Sequence, residues 1–191
     1  MPPTLQAMCA AVIALAAGGQ ACAADLTPTY IGTDYGVARY AGRVYAGYAV
    51  GSSEILGQES THYLELMGYT LGFYGKFACP YPAAPDDCRR DVVRAKGLAL
   101  NWASATQISE HWTANTRIGV SLTHAKVYDA FDPNHGAKVW DSLDGVAGAG
   151  VAYSVAPHVS VRADVNYMPI KTNDDNKPRS NAVTTGVDYK F

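Results

Sequence analysis

The chain has 191 residues and a formal net charge of −2, with 48% hydrophobic and only 17% charged residues, against roughly 25% charged in ordinary soluble domains. Its 15 lysines and arginines do not outnumber its 17 acids, which argues against a nucleic-acid partner. The length suits one domain, and 13 tyrosines with 18 glycines point away from a helical one.

The N-terminal stretch stands apart. QAMCAAVIALAAGG (Gln6–Gly19) is an apolar run too short to span a membrane as a helix. It leads into QACAAD, where Ala21 and Ala23 supply the small residues of an A-x-A cleavage site. Residues 1–24 are therefore expected to be a secretory signal peptide, removed after export, although MPPTLQ lacks the usual Lys or Arg. Residues 25–191 remain as the exported domain. Cys9 and Cys22 would leave with the signal. Cys79 and Cys88 then bracket CPYPAAPDDC, and in an oxidising compartment so short a loop favours a disulfide. Metal binding is the rival, but two cysteines with no nearby His or Cys make a poor zinc site.

No later segment has about 18 uninterrupted apolar residues, so no transmembrane helix is predicted. Eight strand-like segments follow instead: Thr29–Arg39, Arg43–Gly51, His62–Phe77, Arg94–Thr106, Trp112–Tyr128, Gly145–Val155, His158–Ile170 and Ser180–Phe191. The intervals Ala78–Val93, Asp129–Asp144 and Lys171–Arg179 are long and polar. Those at Gln107–His111 and Ala156–Pro157 are short, and Ser52–Thr61 is intermediate. Short turns on one side and longer loops on the other, with an even strand count, is the arrangement of an outer-membrane barrel with both termini periplasmic.

Side chains alternate faces along a strand. In the seventh segment Val159, Val161, Ala163, Val165 and Tyr167 oppose Ser160, Arg162, Asp164 and Asn166. In the fifth, Ile118, Val120 and Leu122 oppose Arg117, Ser121 and Thr123; in the fourth, Leu98, Leu100 and Trp102 oppose Gly97, Ala99 and Asn101. The polar parity is rich in Gly, Ser and Asn rather than Lys and Glu. That suits a narrow barrel filled by its own side chains. Trp102, Trp112, Tyr167 and Tyr189 fall near strand ends, as interfacial aromatics do. The third segment breaks the pattern: if Glu65 faces inward, strict alternation sends Tyr69, Leu71 and Phe73 inward too. A bulge near Met67 and Gly68 would return them to lipid.

The ending AVTTGVDYKF places Thr184, Gly186, Tyr189 and Phe191 in the polar-x-Gly-x-x-aromatic-x-aromatic pattern that the barrel-assembly machinery recognises. With the signal peptide and eight strands, residues 29–191 resemble the small OmpA-like and OmpX-like family. RVYAGYAVG with YLELMGYTLG resembles its second and third strands, and HVSVRADVNY its seventh. The resemblance implies an all-β, eight-stranded antiparallel up-and-down transmembrane β-barrel in the bacterial outer membrane, expected to be monomeric. The peptidoglycan-binding domain of full-length OmpA proteins is not among these residues, so that activity is not expected to carry over.

Inward charges are expected at Asp34, Glu65, Arg117, Arg162, Asp164, Asp188 and Lys190. A charge removed from bulk water needs a partner, and the resemblance implies that Glu65 with Arg117 or Arg162 plugs the lumen; a gate that opens a small pore is the alternative. A non-enzymatic role follows: membrane integrity, with lipid, lipopolysaccharide or a surface ligand met through the extracellular loops. The Cys79–Cys88 loop would serve recognition or simply resist proteolysis. A narrow OmpW-like channel is the transport alternative. A lipid A-modifying enzyme would use His158 and Ser160, but Pro178 stands in KPRSNA where the deacylase family has its His. His124, Asp129 and His135 lack metal-ligand spacing, and no cofactor is expected: GVAGAGVAY continues as a strand, not into the helix a phosphate site requires.

Overall fold

Eight antiparallel strands close on themselves in a computed structural model of the chain, which describes residues 28–36, 40–55, 57–78, 89–129, 138–170 and 181–191. They are β1 (Tyr30–Gly36), β2 (Tyr40–Ile55), β3 (Gln58–Ala78), β4 (Arg89–Gln107), β5 (Trp112–Asp129), β6 (Lys138–Ala156), β7 (Val159–Tyr167) and β8 (Asn181–Lys190). Each pairs with the next, and β8 returns to β1 from Tyr30↔Lys190 to Gly36↔Thr184. Closure pairs the backbone of every edge, which lipid demands because it offers no hydrogen bonds. The signal-peptide segment and the Cys79–Cys88 pair lie outside the described residues.

The outer wall carries the apolar parity that alternation predicts. Leu98, Leu100 and Trp102 on β4 point out, as do Ile118, Val120 and Leu122 on β5 and Val161, Val165 and Tyr167 on β7. Ile118 is 66% exposed and Leu122 64%. A wall of exposed branched side chains is unfavourable in water and favourable in a bilayer. Along β5 the band runs from Leu122 to Trp112, which is about 33 Å of strand at 3.3 Å per residue. At a tilt of roughly 40° that gives about 25 Å of height, the thickness of an outer-membrane apolar band. Trp112 packs edge-on against Tyr153 at the termini end (5.0 Å).

Several boundaries differ from those expected, each for a physical reason. The second and third strands run on through the polar Ser52–Thr61 stretch to a tight connection at residues 56–57, where Gly57 supplies φ = +76°. Polar strand residues there project beyond the band, where both faces are wet. The sixth strand starts at Lys138, not Gly145: the presumed loop alternates, with Val139 and Leu143 out and Asp144 in. The seventh ends at Tyr167, not Ile170. Pro169 has no N–H to give the ladder, and Met168 and Ile170 instead bury themselves among the lumen residues.

The bulge expected near Met67 and Gly68 is absent. The β3–β4 register is continuous from Ser60↔Thr106 to Tyr74↔Val92, and the β2–β3 irregularity falls between Ala49 and Gly51. Met67, Tyr69 and Leu71 therefore share the inner face with Glu65, and all are buried. They are not misplaced lipid-facing groups. Together with Ala41, Ala95, Ala125, Met168, Ile170 and Ala182 they form an apolar plug in the half of the lumen away from the termini.

Candidate functional site in the lumen

Below the apolar plug, toward the termini, lies a layer of charge. Strand parity alone sends Asp34, Arg43, Glu65, Arg117, Arg162, Asp164 and Asp188 inward, and closure brings them together. Arg43 Nη2 pairs with Asp34 and Asp164 (3.2 Å to the latter) and donates to Thr184 Oγ1 at 2.6 Å. Arg117 bridges Glu65 (3.6 Å) and Asp164 (3.4 Å). Arg162 Nε lies 2.9 Å from Asp164, and its Nη1 3.3 Å from Asp188.

Neutral side chains add further partners, though not for every buried atom: among the described residues Arg43 Nε and Nη1 have no hydrogen-bond partner. Tyr30 Oη donates to Glu65 at 2.8 Å and Asn101 Nδ2 at 2.9 Å. Tyr45 Oη reaches Asp34 at 2.9 Å and Asp188 at 2.5 Å. The guanidinium carbons of Arg162 and Arg117 lie 4.9 and 5.4 Å from the Tyr45 ring centroid, within cation–π range. Six strands contribute charged members to this layer. Such a cluster ties non-adjacent walls of the barrel across its axis, which backbone pairing alone cannot do.

Glycine makes room for it. A Cβ at Gly47 would collide with the Tyr30 ring, and one at Gly186 with Asp34 Oδ1 and the Thr33 carbonyl oxygen. The lumen is thus packed to the level of a methyl group. The small cavity that remains toward the termini, beside Glu65, Arg162 and Lys190, measures about 30 Å³. That is room for one water and not for a substrate.

Six of the seven residues expected in the lumen network, Asp34, Glu65, Arg117, Arg162, Asp164 and Asp188, lie buried in this one cluster. Lys190 shares their parity but sits at the barrel mouth, exposed and apart from the ion pairs, because the strand ends there. Thr184 and Gly186, read as assembly-signal residues, also line the lumen, while Tyr189 and Phe191 point outward with rings 5.2 Å apart. Sequence reasoning missed Arg43 and Tyr45. A signal existed: an arginine inside a membrane-length strand has to face the interior, and Arg43 sits where Val44 and Ala46 on the other parity are the lipid-compatible residues.

His158 and Ser160 do not form a pair. His158 is in the β6–β7 turn, its Nδ1 2.9 Å from the Lys190 carbonyl oxygen and its ring stacked on Tyr189. Ser160 points into the lumen near Ser154. Among the described residues no cluster of three or more His, Cys, Asp or Glu could hold a metal ion.

Residues 114–191 match the family described as outer membrane protein beta-barrel domain. No curated protein matches the chain in sequence. Among solved structures, Neisserial surface protein A is 18% identical with a TM-score of 0.50, over 85% of this chain and 92% of its own. Ail, the attachment invasion locus protein of Yersinia pestis, solved with the heparin analogue sucrose octasulfate, is 10% identical with a TM-score of 0.46, over 85% and 93%. The outer membrane enzyme PagL is 14% identical with a TM-score of 0.46, over 85% and 98%. At such identities the likeness concerns the fold alone.

Proposed function

We propose that this chain, a small eight-stranded barrel of the bacterial outer membrane, works as a plugged, non-catalytic wall element whose surface, not its interior, meets ligands. The observation that carries this reading is the layer of three arginines and four carboxylates spanning the lumen beneath an apolar plug. Both layers are made of buried side chains, which supports a closed lumen. The narrow-channel alternative would require both to move.

The segments 79–88, 130–137 and 171–180 all leave the barrel on the side opposite the termini, which is the extracellular side for an even strand count. They are the elements through which a host surface or another ligand would be met. The Cys79–Cys88 pair, as a disulfide, would pre-organise the first of them and lower the entropic cost of binding.

A deletion strain tests the reading. Loss of the protein should raise sensitivity to detergent, and plasmid copies of the full chain or of His158→Ala should restore resistance equally. The mass of lipid A should be the same in all strains. A lipid A mass change on overexpression that His158→Ala abolishes would instead make the barrel an enzyme.

A further inference from the structure

On the side of the termini the barrel does not end evenly. The connections at residues 108–111 and 157–158 are tight, as periplasmic turns of such barrels are. The β2–β3 hairpin departs from that habit. β1 leaves β2 at Tyr30↔Gly47, where Thr29 N–H donates to the Gly47 carbonyl at 2.7 Å and Ala49 N–H to Thr29 Oγ1 at 2.9 Å. β2 then runs on to Ile55, and among the described residues only β3 pairs with it there. Residues 50–55 thus present one open strand edge, about 20 Å long at 3.3 Å per residue. The tip also passes β4, whose last partner on β3 is Ser60, opposite Thr106.

Open edges are commonly blunted by lysine, by proline or by a covering element. No lysine, arginine or proline occurs between residues 50 and 62. The irregularity between Ala49 and Gly51 stands at the start of the open stretch, and beyond it every residue to Ile55 is paired to β3 in regular register. Two exposed acids lie at the tip, Glu54 directly opposite Glu59. Like charges so placed weaken a hairpin, and the hairpin carries no cation to separate them. What holds it is a polar ladder. His62 Nε2 is 2.7 Å from Ser53 Oγ, and its Nδ1 is 2.8 Å from Ser104 Oγ on β4. The His62 ring stacks on Trp102 with centroids 5.7 Å apart. The edge is therefore held extended before any partner arrives, which lowers the ordering cost of binding.

We infer that this edge is a periplasmic docking site for an extended, lysine- or arginine-bearing peptide segment of another protein, added to β2 as a further strand. Backbone hydrogen bonds hold such a segment, and Glu54 and Glu59 select its basic side chains. Charge disfavours the other occupants. A second copy would set the same acids against each other, and the segment before Pro28 brings an acid of its own, Asp25. The inference rests on the termini being periplasmic and is independent of the extracellular segments and of the lumen.

The test uses the full exported chain refolded in detergent at low ionic strength, with fluorescein-labelled ten-residue peptides read by anisotropy. A peptide of alternating Thr and Lys should bind, and one of alternating Thr and Glu should not. Two adjacent central prolines in the Thr-Lys peptide, one for each of its edges, should weaken binding about tenfold or more. Glu54→Gln with Glu59→Gln should weaken it about three- to tenfold. Replacing residues 54–59 by Asn-Gly should abolish binding while the unheated barrel band on an SDS gel is retained; if that variant fails to fold, the double Gln variant decides. Equal affinity for the proline-bearing peptide would mean charge attraction without strand addition and would overturn the site, as would unchanged binding in a folded variant. Binding only after residues 25–27 are removed would make the edge the seat of the chain's own N-terminus. A dimer lost on shortening the hairpin, with no peptide bound, would assign the edge to a second copy. Either result would overturn the proposal, and neither bears on the conductance of the same preparation.

Discussion

Replacing Arg43 by methionine is expected to cost the folded barrel about 3–5 kcal/mol, the usual range when one member of a buried ion pair is removed. The reason is the uneven distribution of partners. Asp164 keeps Arg117 and Arg162, and Glu65 keeps Arg117, Tyr30 and Asn101. Asp34 loses Arg43, the cation that pairs with it, and retains the Tyr45 hydroxyl. It then stays as a buried charge with no cation paired to it among the described residues. Urea unfolding in lipid vesicles, followed by tryptophan fluorescence and by the unheated gel band, measures the loss. Adding Asp34→Asn to Arg43→Met should recover a large part of it, because the stranded charge is gone. A double variant no more stable than Arg43→Met would mean that Arg43 acts through packing and not through its charge.

Gly186→Ala should cost about 1–3 kcal/mol by overpacking, a large effect for one methyl group. Its Cβ would meet a backbone carbonyl on β1 as well as the Asp34 carboxylate, so relief requires opening the β8–β1 seam that closes the barrel. Gly145 provides the contrast. It lies on the outer wall with nothing near the place of a Cβ, and Gly145→Ala should change stability by no more than about 0.5 kcal/mol. Comparison of the two urea midpoints, with the folded fraction read from unheated gels, checks the pair. Equal midpoints would mean that the seam tolerates a side chain and that Gly186 serves assembly alone.

How much of this was legible in the sequence depended on contrast between parities. On β4, β5 and β7 one parity is branched or aromatic and the other polar or small, and the lipid face follows directly from Leu98, Leu100 and Trp102 or from Val161 and Val165. On β2 both parities carry small and aromatic residues: Ala41 and Tyr45 turn in, Ala46 and Tyr48 do not. Alternation there is too weak to show that Arg43 belongs to the lumen. On β3 the difficulty was of another kind. Hydrophobicity on this strand does not mean lipid contact, because the upper lumen is itself apolar, and Tyr69 and Leu71 satisfy the pattern without a bulge. Tyr69 also finds a polar partner inside, the Thr123 hydroxyl. Pairing between particular charges was the least legible feature, since it depends on which strands closure brings opposite one another.

Single-channel recording of the full exported chain in a planar lipid bilayer tests the plugged lumen most directly, with insertion verified by the heat-shifted band of the same sample. Two stacked closures, an ion-pair layer and an apolar layer, predict no stable openings at moderate voltage. Sustained openings of uniform size from the wild-type barrel would contradict the plug and make the lumen a conducting path.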